Sequence, residues 1–433
     1  MRVATLWRAV VGVEKAVVED VEFDEEQGCV VVSVRPTARA RGRCGICRRR
    51  SRGYDQGAGR RRWRSLDAGT VMTFVEADAP RVSCPEHGVV VAAVPWARHD
   101  AGHTYVFDEQ VAWLATQTSK TALSQLMRIA WRTVGAVVAR VWADVEAVTD
   151  RFEGLSRIGI DEISYKRGHL YLLVVVDHDT GRLVWAAPGR DSATLQQFFD
   201  ALGPARCAKI THVTADSANF IATTVASNCP QAVQCADPFH VVKWATDALD
   251  QVRRQSWNQA RALARKTEPK RGRGRPPADA PPRPASERAK ALKGARFALW
   301  KNPEDLTENQ QAKLAWIATT DPALHRAYLL KEGLRLIFTM PHEQASQALD
   351  GWIGWARRGR IPAFVKPQKS IVLHRDSILA AIKHGLSNGR IESVNTKIRL
   401  ITRVAFGFQS AHALIALAML SLGGHRPTLP GRK

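Results

Sequence analysis

Three acidic residues stand where carboxylates could hold a hard cation. Asp161 closes the apolar run that begins at Arg157 and is followed by Glu162; Asp216 closes Ile210–Ala215. Both runs read as strands, so both carboxylates fall where a strand gives out. On neighbouring strands, such a pair binds divalent cations through oxygen. A third acid is wanted from a helix near the C-terminus, and Glu392 supplies it. Asn388-Gly389 marks a turn, and helical spacing beyond it gives Glu392, Asn395 and Arg399 one face. A carboxylate flanked by an amide and a cation suits a metal and phosphate site. A softer ligand set lies upstream. Cys44-Gly45-Ile46-Cys47 and Cys84-Pro85-Glu86-His87 are two x2-spaced pairs with 36 residues between them. Each pair aims two ligands from a tight turn at one tetrahedral ion, as in a zinc ribbon or knuckle. Cys29, Cys207, Cys229 and Cys235 lack such spacing and read as buried thiols.

The elements that must position these groups follow from periodicity. Thr70–Ala77 reads as a strand between the two ligand pairs, part of the expected ribbon. Residues 107–145 carry apolar residues at helical spacing throughout. Helices are expected from about Asp108, Lys120 and Trp131, with Ser119 and Thr121 as start signals. Short helices with short connections suggest a helix-turn-helix. Leu170–Asp177 is a buried strand, Asp179-Thr180-Gly181 a hairpin turn, and Leu183–Ala187 the return strand. Ile210–Asp216 and Val233–His240 complete a sheet of three antiparallel strands followed by parallel ones, the layout of an RNase H-like fold. Strand alternation turns Glu162 away from Asp161, and Asp177 and Asp179 serve the hairpin turn. Most of the tryptophans at 244, 257, 300, 316, 352 and 355 read as helical core. His384 and His425 have no evident partner.

The 433 residues carry 63 Lys and Arg against 41 Asp and Glu, a formal charge of +22. Such an excess favours a polyanionic partner over a small metabolite. Residues 35–64 hold twelve Arg and one acid, and residues 265–296 hold eleven basic residues and three acids. These runs carry +19 of the +22. The second includes the Pro- and Gly-rich segment 266–290, expected to be a flexible surface strip. Within it, Arg273-Gly274-Arg275-Pro276 is like the core of an AT-hook, which lies in a narrow minor groove. No run approaches the ~20 apolar residues of a membrane span, and Ala411–Leu422 is about half that length. The first residues meet Glu14 before any signal-like stretch develops. Seven Cys in a chain this long argue against a disulfide scaffold. A cytosolic protein with no membrane partner is expected.

The motifs together resemble the DDE transposases of the bacterial ISL-three insertion-sequence family, over nearly the whole chain. They are CGIC…CPEH, the helix-turn-helix, IGIDE, VTADSA, CADPFHVVKWA and SNGRIESVNTKIRLITRVAFGF. The resemblance implies that Asp161, Asp216 and Glu392 are the catalytic acids, holding two Mg²⁺ or Mn²⁺ ions. It also implies that Asp237 and His240 form the C/D-x2-H motif of insertion-bearing members. His240, Asp237, Asn395, Arg399, Arg273 and Arg275 become candidates for DNA contact or site support, and Cys44, Cys47, Cys84 and His87 for one structural zinc. The expected fold is α/β. A β-rich domain (1–100) containing the zinc module (44–87) precedes a helix-turn-helix domain (101–150). An RNase H-like domain (151–250 and 370–425) is interrupted by a helical insertion (251–369). The implied activity is binding of terminal inverted repeats, then metal-dependent cleavage and strand transfer by at least a dimer on double-stranded DNA. The alternatives are a zinc-containing DNA-binding regulator on a non-catalytic scaffold and a nuclease without strand transfer.

Overall fold

The computed structural model describes residues 3–216, 218–269 and 281–432. The chain divides into two units, residues 1–151 with 398–433, and residues 152–397.

In the first unit a short helix, α1 (Val3–Val10), precedes two small sheets. One has the order β1 (Ala16–Asp24), β2 (Cys29–Pro36), β5 (Met72–Asp78), β4 (Arg60–Arg64); the other has β3 (Arg52–Asp55), β6 (Arg81–Cys84), β7 (Gly88–Val91). Val32, Val34, Trp63, Val75 and Trp96 form the core under the larger sheet, with Trp63 and Trp96 edge to face at 5.6 Å. The strand expected at Thr70–Ala77 exists as β5 but is not part of the ribbon. It pairs in parallel with β2 and antiparallel with β4. Its alternating burial sends Val75 and Ala77 into the Trp63 core, and that burial decides its sheet. The ribbon is built from β3, β6 and β7 instead.

Three helices follow, α2 (Tyr105–Ala115), α3 (Lys120–Met127) and α4 (Trp131–Val148). Ser119 caps α3 by accepting the Ala122 N–H at 3.2 Å, while Thr104, not foreseen, caps α2. Arg128 ends α3 in the left-handed region. Asp108, fully buried, pairs with Arg98 at 3.2 Å and Arg140 at 3.1 Å, with His103 at 3.6 Å. The apolar C-terminal segment Ala411–Leu422 forms the last helix, α17, and packs on α4. The stretch expected to be catalytic, 370–425, is thus divided between the units.

The second unit begins with a five-stranded sheet in the order β10 (Leu183–Pro188), β9 (Leu170–Asp177), β8 (Arg157–Lys166), β11 (His212–Ala215), β12 (Val233–Ala236). The first three are antiparallel and the last two join β8 in parallel. Ile158, Ile160, Leu173, Val175 and Val213 bury one face against α5 (Ser192–Leu202), α6 (Pro204–Cys207) and α7 (Asn219–Asn228), through Leu195, Phe198, Cys207 and Val225. Asp161 does not end its strand. β8 continues to Lys166 against β9. What ends at Ile160↔Ala215 is the pairing with β11, so Asp161 lies mid-strand at the edge of the parallel ladder.

A 30-residue helix, α8 (Pro238–Thr267), carries the chain out of the sheet without a break at the expected boundary near 250. The insertion is all helical: α9 (Pro284–Lys293), α10 (Arg296–Trp300), α11 (Glu308–Thr320), α12 (Pro322–Ile337), α13 (His342–Arg358), α14 (Val365–Leu373) and α15 (Arg375–His384). Leu249, Leu292, Leu299, Leu334, Leu349 and Trp352 lie in its core, with Trp244, Trp257, Trp300 and Trp316 packed against it. The strip 266–290 is not unstructured along its whole length. Ala285, Ala289 and Leu292 recur at helical spacing and are buried, which makes α9. Glu268 caps it, accepting the Ala285 and Ser286 N–H groups at 2.8 and 3.1 Å, and Arg283 donates to the Pro269 carbonyl at 2.9 Å. Arg273 and Arg275 lie outside the described residues. The helix α16 (Gly389–Val404) then returns to the sheet.

Candidate active site and metal centre

The register of β8 and β11 sets Asp161 beside Asp216, each one residue past the last parallel pair, Ile160↔Ala215. Alternation gives Gly159 and Asp161 one face of β8, opposite the core that takes Ile158 and Ile160. Helix α16 lies on that face because Gly159 has no side chain. A Cβ there would come within 2.1 Å of Ile391 Cδ1 and 2.6 Å of its Cγ1. One turn further along α16, Asn395 Nδ2 donates to Asp161 Oδ2 at 2.7 Å. Asp161 Oδ1 accepts the Glu162 N–H at 2.8 Å. Burial raises the Asp161 carboxyl above the usual range, and the Asp216 and Asp237 carboxylates add to this, against the Glu162 N–H and His240.

Asp237 and His240 join this cluster. Asp237, buried before α8, caps that helix and accepts His240 Nδ1 at 2.7 Å. Its other oxygen accepts the Asn388 N–H at 3.1 Å, tying the start of α16 to the start of α8. His240 Nε2 faces Asp216 Oδ2 at 3.5 Å. The hydrogen bond to Asp237 raises the His240 pKa despite burial, with Asp216 adding to the rise. Burial pushes Asp237 up, but the bonds from His240 and Asn388 outweigh it and hold the carboxyl low.

Glu392 precedes Asn395 by three residues, so both lie toward one side of α16. Glu392 is exposed, and its carboxylate has no hydrogen-bond or ion-pair partner among the described residues. Arg399, also exposed, is seven residues on along the same helix. Glu162 turns away and faces Arg190 at 3.4 Å. Asp177 accepts the Asp179 N–H within the hairpin, and Asp179 pairs with Arg157. His384, which had no evident partner, packs edge to face on His212 at 4.3 Å.

Three supports, Arg390, His178 and Asn388, were not foreseen from the sequence. Arg390 donates to the carbonyls of His178 and Asp179, fixing α16 to the β9–β10 hairpin. His178, held down to about 4 by burial and by Arg390 and Arg157, is neutral and meets Thr214 Oγ1 at 2.6 Å. Asn388, read only as a turn residue, is 1% exposed, and neither side-chain polar atom has a partner. Asn395 Oδ1 is likewise buried and unpartnered. Among the described residues only the Cys44–His87 set gathers into a candidate metal group, but the three acids Asp161, Asp216 and Glu392 offer oxygen donors alone. That chemistry fits a hard divalent ion.

The sulfur site is tighter. One ligand atom each from Cys44, Cys47, Cys84 and His87 lie within 4.8 Å of one another. Cys47 Sγ and Cys84 Sγ are 3.7 Å apart, and His87 Nδ1 is 3.8 Å from Cys44 Sγ and 3.6 Å from Cys84 Sγ. Tetrahedral thiolates at the usual zinc bond length are about 3.8 Å apart, so the four fit one structural zinc. His87 holds the Cys84 thiol down to about 6, near its thiolate form.

With this geometry in view, comparison with known proteins assigns a class. A family model described as a transposase matches residues 158–418, a helix-turn-helix domain of transposase family ISL3 matches 92–142, and a zinc-finger of transposase IS204/IS1001/IS1096/IS1165 matches 40–87. The chain belongs to the ISL3 family of DDE transposases, DNA-binding enzymes of transposition. It is 66% identical over 437 residues to the transposase for insertion sequence element IS1557 of Mycobacterium tuberculosis, in strains CDC 1551 / Oshkosh and ATCC 25618 / H37Rv, covering 100% of this chain and 98% of each relative. It is 26% identical over 397 residues to the transposase for insertion sequence element IS1001 of Bordetella parapertussis, covering 90% and 91%. No helix among the described residues is long and apolar enough to cross a membrane.

Proposed function

We propose that Asp161, Asp216 and Glu392 are the catalytic acids, and that they act on the terminal inverted repeats of the parent element. The observation that carries this is the Asn395–Asp161 hydrogen bond, which draws the Glu392 helix onto the strand pair bearing the two aspartates. The three carboxylates would hold Mg²⁺ or Mn²⁺, whose bound charge stabilises the attacking and leaving oxygens of a phosphoryl transfer.

The protein's own groups orient and neutralise. Asn395 and the Glu162 N–H fix the Asp161 carboxylate in one rotamer. His240, held by Asp237 and made more basic by that bond, faces Asp216 at 3.5 Å and favours its carboxylate form. Arg399 is a candidate for a DNA phosphate. In the first step a water oxygen bonds to phosphorus at the element end. The P–O3′ bond breaks, and the 3′-oxygen leaves with a proton. In the second, that 3′-hydroxyl bonds to a target phosphorus and the target's own 3′-oxygen leaves. Bonds broken and formed are equal in number, so no external energy source is needed and no covalent protein–DNA intermediate forms. Pairing two element ends calls for at least a dimer on double-stranded DNA, and the bacterial cytoplasm is the proposed compartment.

The test is Asp161→Asn on a labelled element-end duplex with Mg²⁺. The substitution keeps the shape of the side chain and removes its charge. Cleavage and joining are expected to vanish while duplex binding stays within about twofold. Cleavage at the wild-type rate would remove Asp161 from the catalytic set.

A further inference from the structure

Helix α8 leaves the proposed catalytic cluster at His240 and runs straight into the insertion. One turn on, about 6 Å along the axis, a groove of about 580 Å³ opens between α8 and α14. Trp244, Gln251, Arg254, Gln255, Asn258 and Lys366 line it. From Trp244 to Asn258 it follows α8 for about 21 Å.

We propose that this groove holds an unpaired DNA strand leaving the catalytic cluster, an inference that rests on the assignment of Asp161, Asp216 and Glu392. Four observations converge. Trp244 is half-buried, packed on the insertion core and 5.7 Å from the His374 ring, and it lines the groove, where an aromatic side chain can take a base by stacking. Gln251, Gln255 and Asn258 are exposed, and their side-chain amides have no hydrogen-bond partner among the described residues. Amides of this kind pair with the edges of bases that are out of the duplex. The groove is lined by two basic residues, Arg254 and Lys366, against one acid, Asp247, and Arg254 pairs with Asp250 at 2.9 Å. Asp247, the acid that reaches the groove, is already paired with Lys243 at 2.7 Å, whereas Lys366 has no ion pair among the described residues. A concave slot of this volume admits a strand and its bases; a duplex would need an element that enters one of its grooves.

The test uses the full chain and two fluorescein-labelled probes, a blunt element-end duplex and the same duplex with a single-stranded tail of about eight nucleotides, within the footprint of strand-binding grooves. The Gln251→Ala/Asn258→Ala double variant and Lys366→Glu alter exposed positions, so folding is expected to survive in both. The expected result is an affinity for the tailed probe about tenfold weaker in each variant, with blunt-probe affinity unchanged. A 2-aminopurine base in the tail is expected to be quenched on binding, at the position nearest Trp244. Equal losses on both probes, no loss on either, or no quenching at any tail position would overturn the proposal. Asp161→Asn separates the two readings. If it still cleaves, the catalytic assignment fails, and the tail difference is read independently.

Discussion

Asp108 has no exposed surface, and Arg98, His103 and Arg140 converge on it. Its removal would leave Arg140 without its carboxylate and Arg98 with Asp144 alone, at 2.6 Å. A buried ion pair broken on one side costs about 3–5 kcal/mol. Asp108→Ala should therefore lose that much local stability, read as faster hydrogen exchange of α2 and α4 amides. Exchange at the wild-type rate would mean that water already solvates the cluster. Nothing in the sequence signalled this group, because its members come from a loop and two helices at irregular spacing. The zinc ligands were legible for the opposite reason: tight turns set ligand geometry locally, so the x2 spacing alone carries the information. Asp161, Asp216 and Glu392 lie between. Their types and flanking runs named them as candidates, but Asn395 and Asp237 became structural partners only once α16 was laid across β8.

Helix α16 depends on a missing side chain. Gly159 lets Ile391, fully buried, approach the strand. In Gly159→Ala the new methyl would meet Ile391 and His178 Nε2 at 3.0 Å, and a buried Ile cannot swing clear. Overpacking of this kind costs about 1–3 kcal/mol. The helix should lift and stretch the Asn395–Asp161 bond. Strand cleavage should fall at least about tenfold, since a misplacement of about 1 Å can cost a hundredfold, with duplex binding retained. Full cleavage would show that α16 tolerates a shift. Element types were largely readable from periodicity: β9 has the predicted bounds, and α3 and α4 start where predicted. Partners were not. β5 alternates as a ribbon strand would, yet its apolar face belongs to the Trp63 core, and alternation cannot say which sheet a face will meet. α9 was hidden among Pro, Lys and Arg because its buried stripe is mostly alanine.

Across the whole molecule, the charge of +22 is less available than the sequence implies. Of the twelve Arg in residues 35–64, five are in ion pairs: Arg35 with Glu19, Arg49 with Glu86, Arg60 and Arg62 with Glu76, and Arg64 with Asp67. Arg41, Arg43, Arg48 and Arg61 donate to backbone carbonyls. Arg39, Arg50 and Arg52 are exposed and have no side-chain partner among the described residues. The triple Ala variant at these three should weaken duplex binding and lower the salt slope by up to about 2.7, at about 0.9 per phosphate contact. An unchanged slope would move the DNA contact elsewhere on the unit. Much of the first basic run is therefore scaffolding, a distinction that counting charges cannot make. The second run has a different use. Its two ends are held together where Arg283 meets the Pro269 carbonyl and Glu268 grips the start of α9. Glu268 is accordingly a clasp, one carboxylate that joins the end of α8 to residues 17 and 18 places further along the sequence.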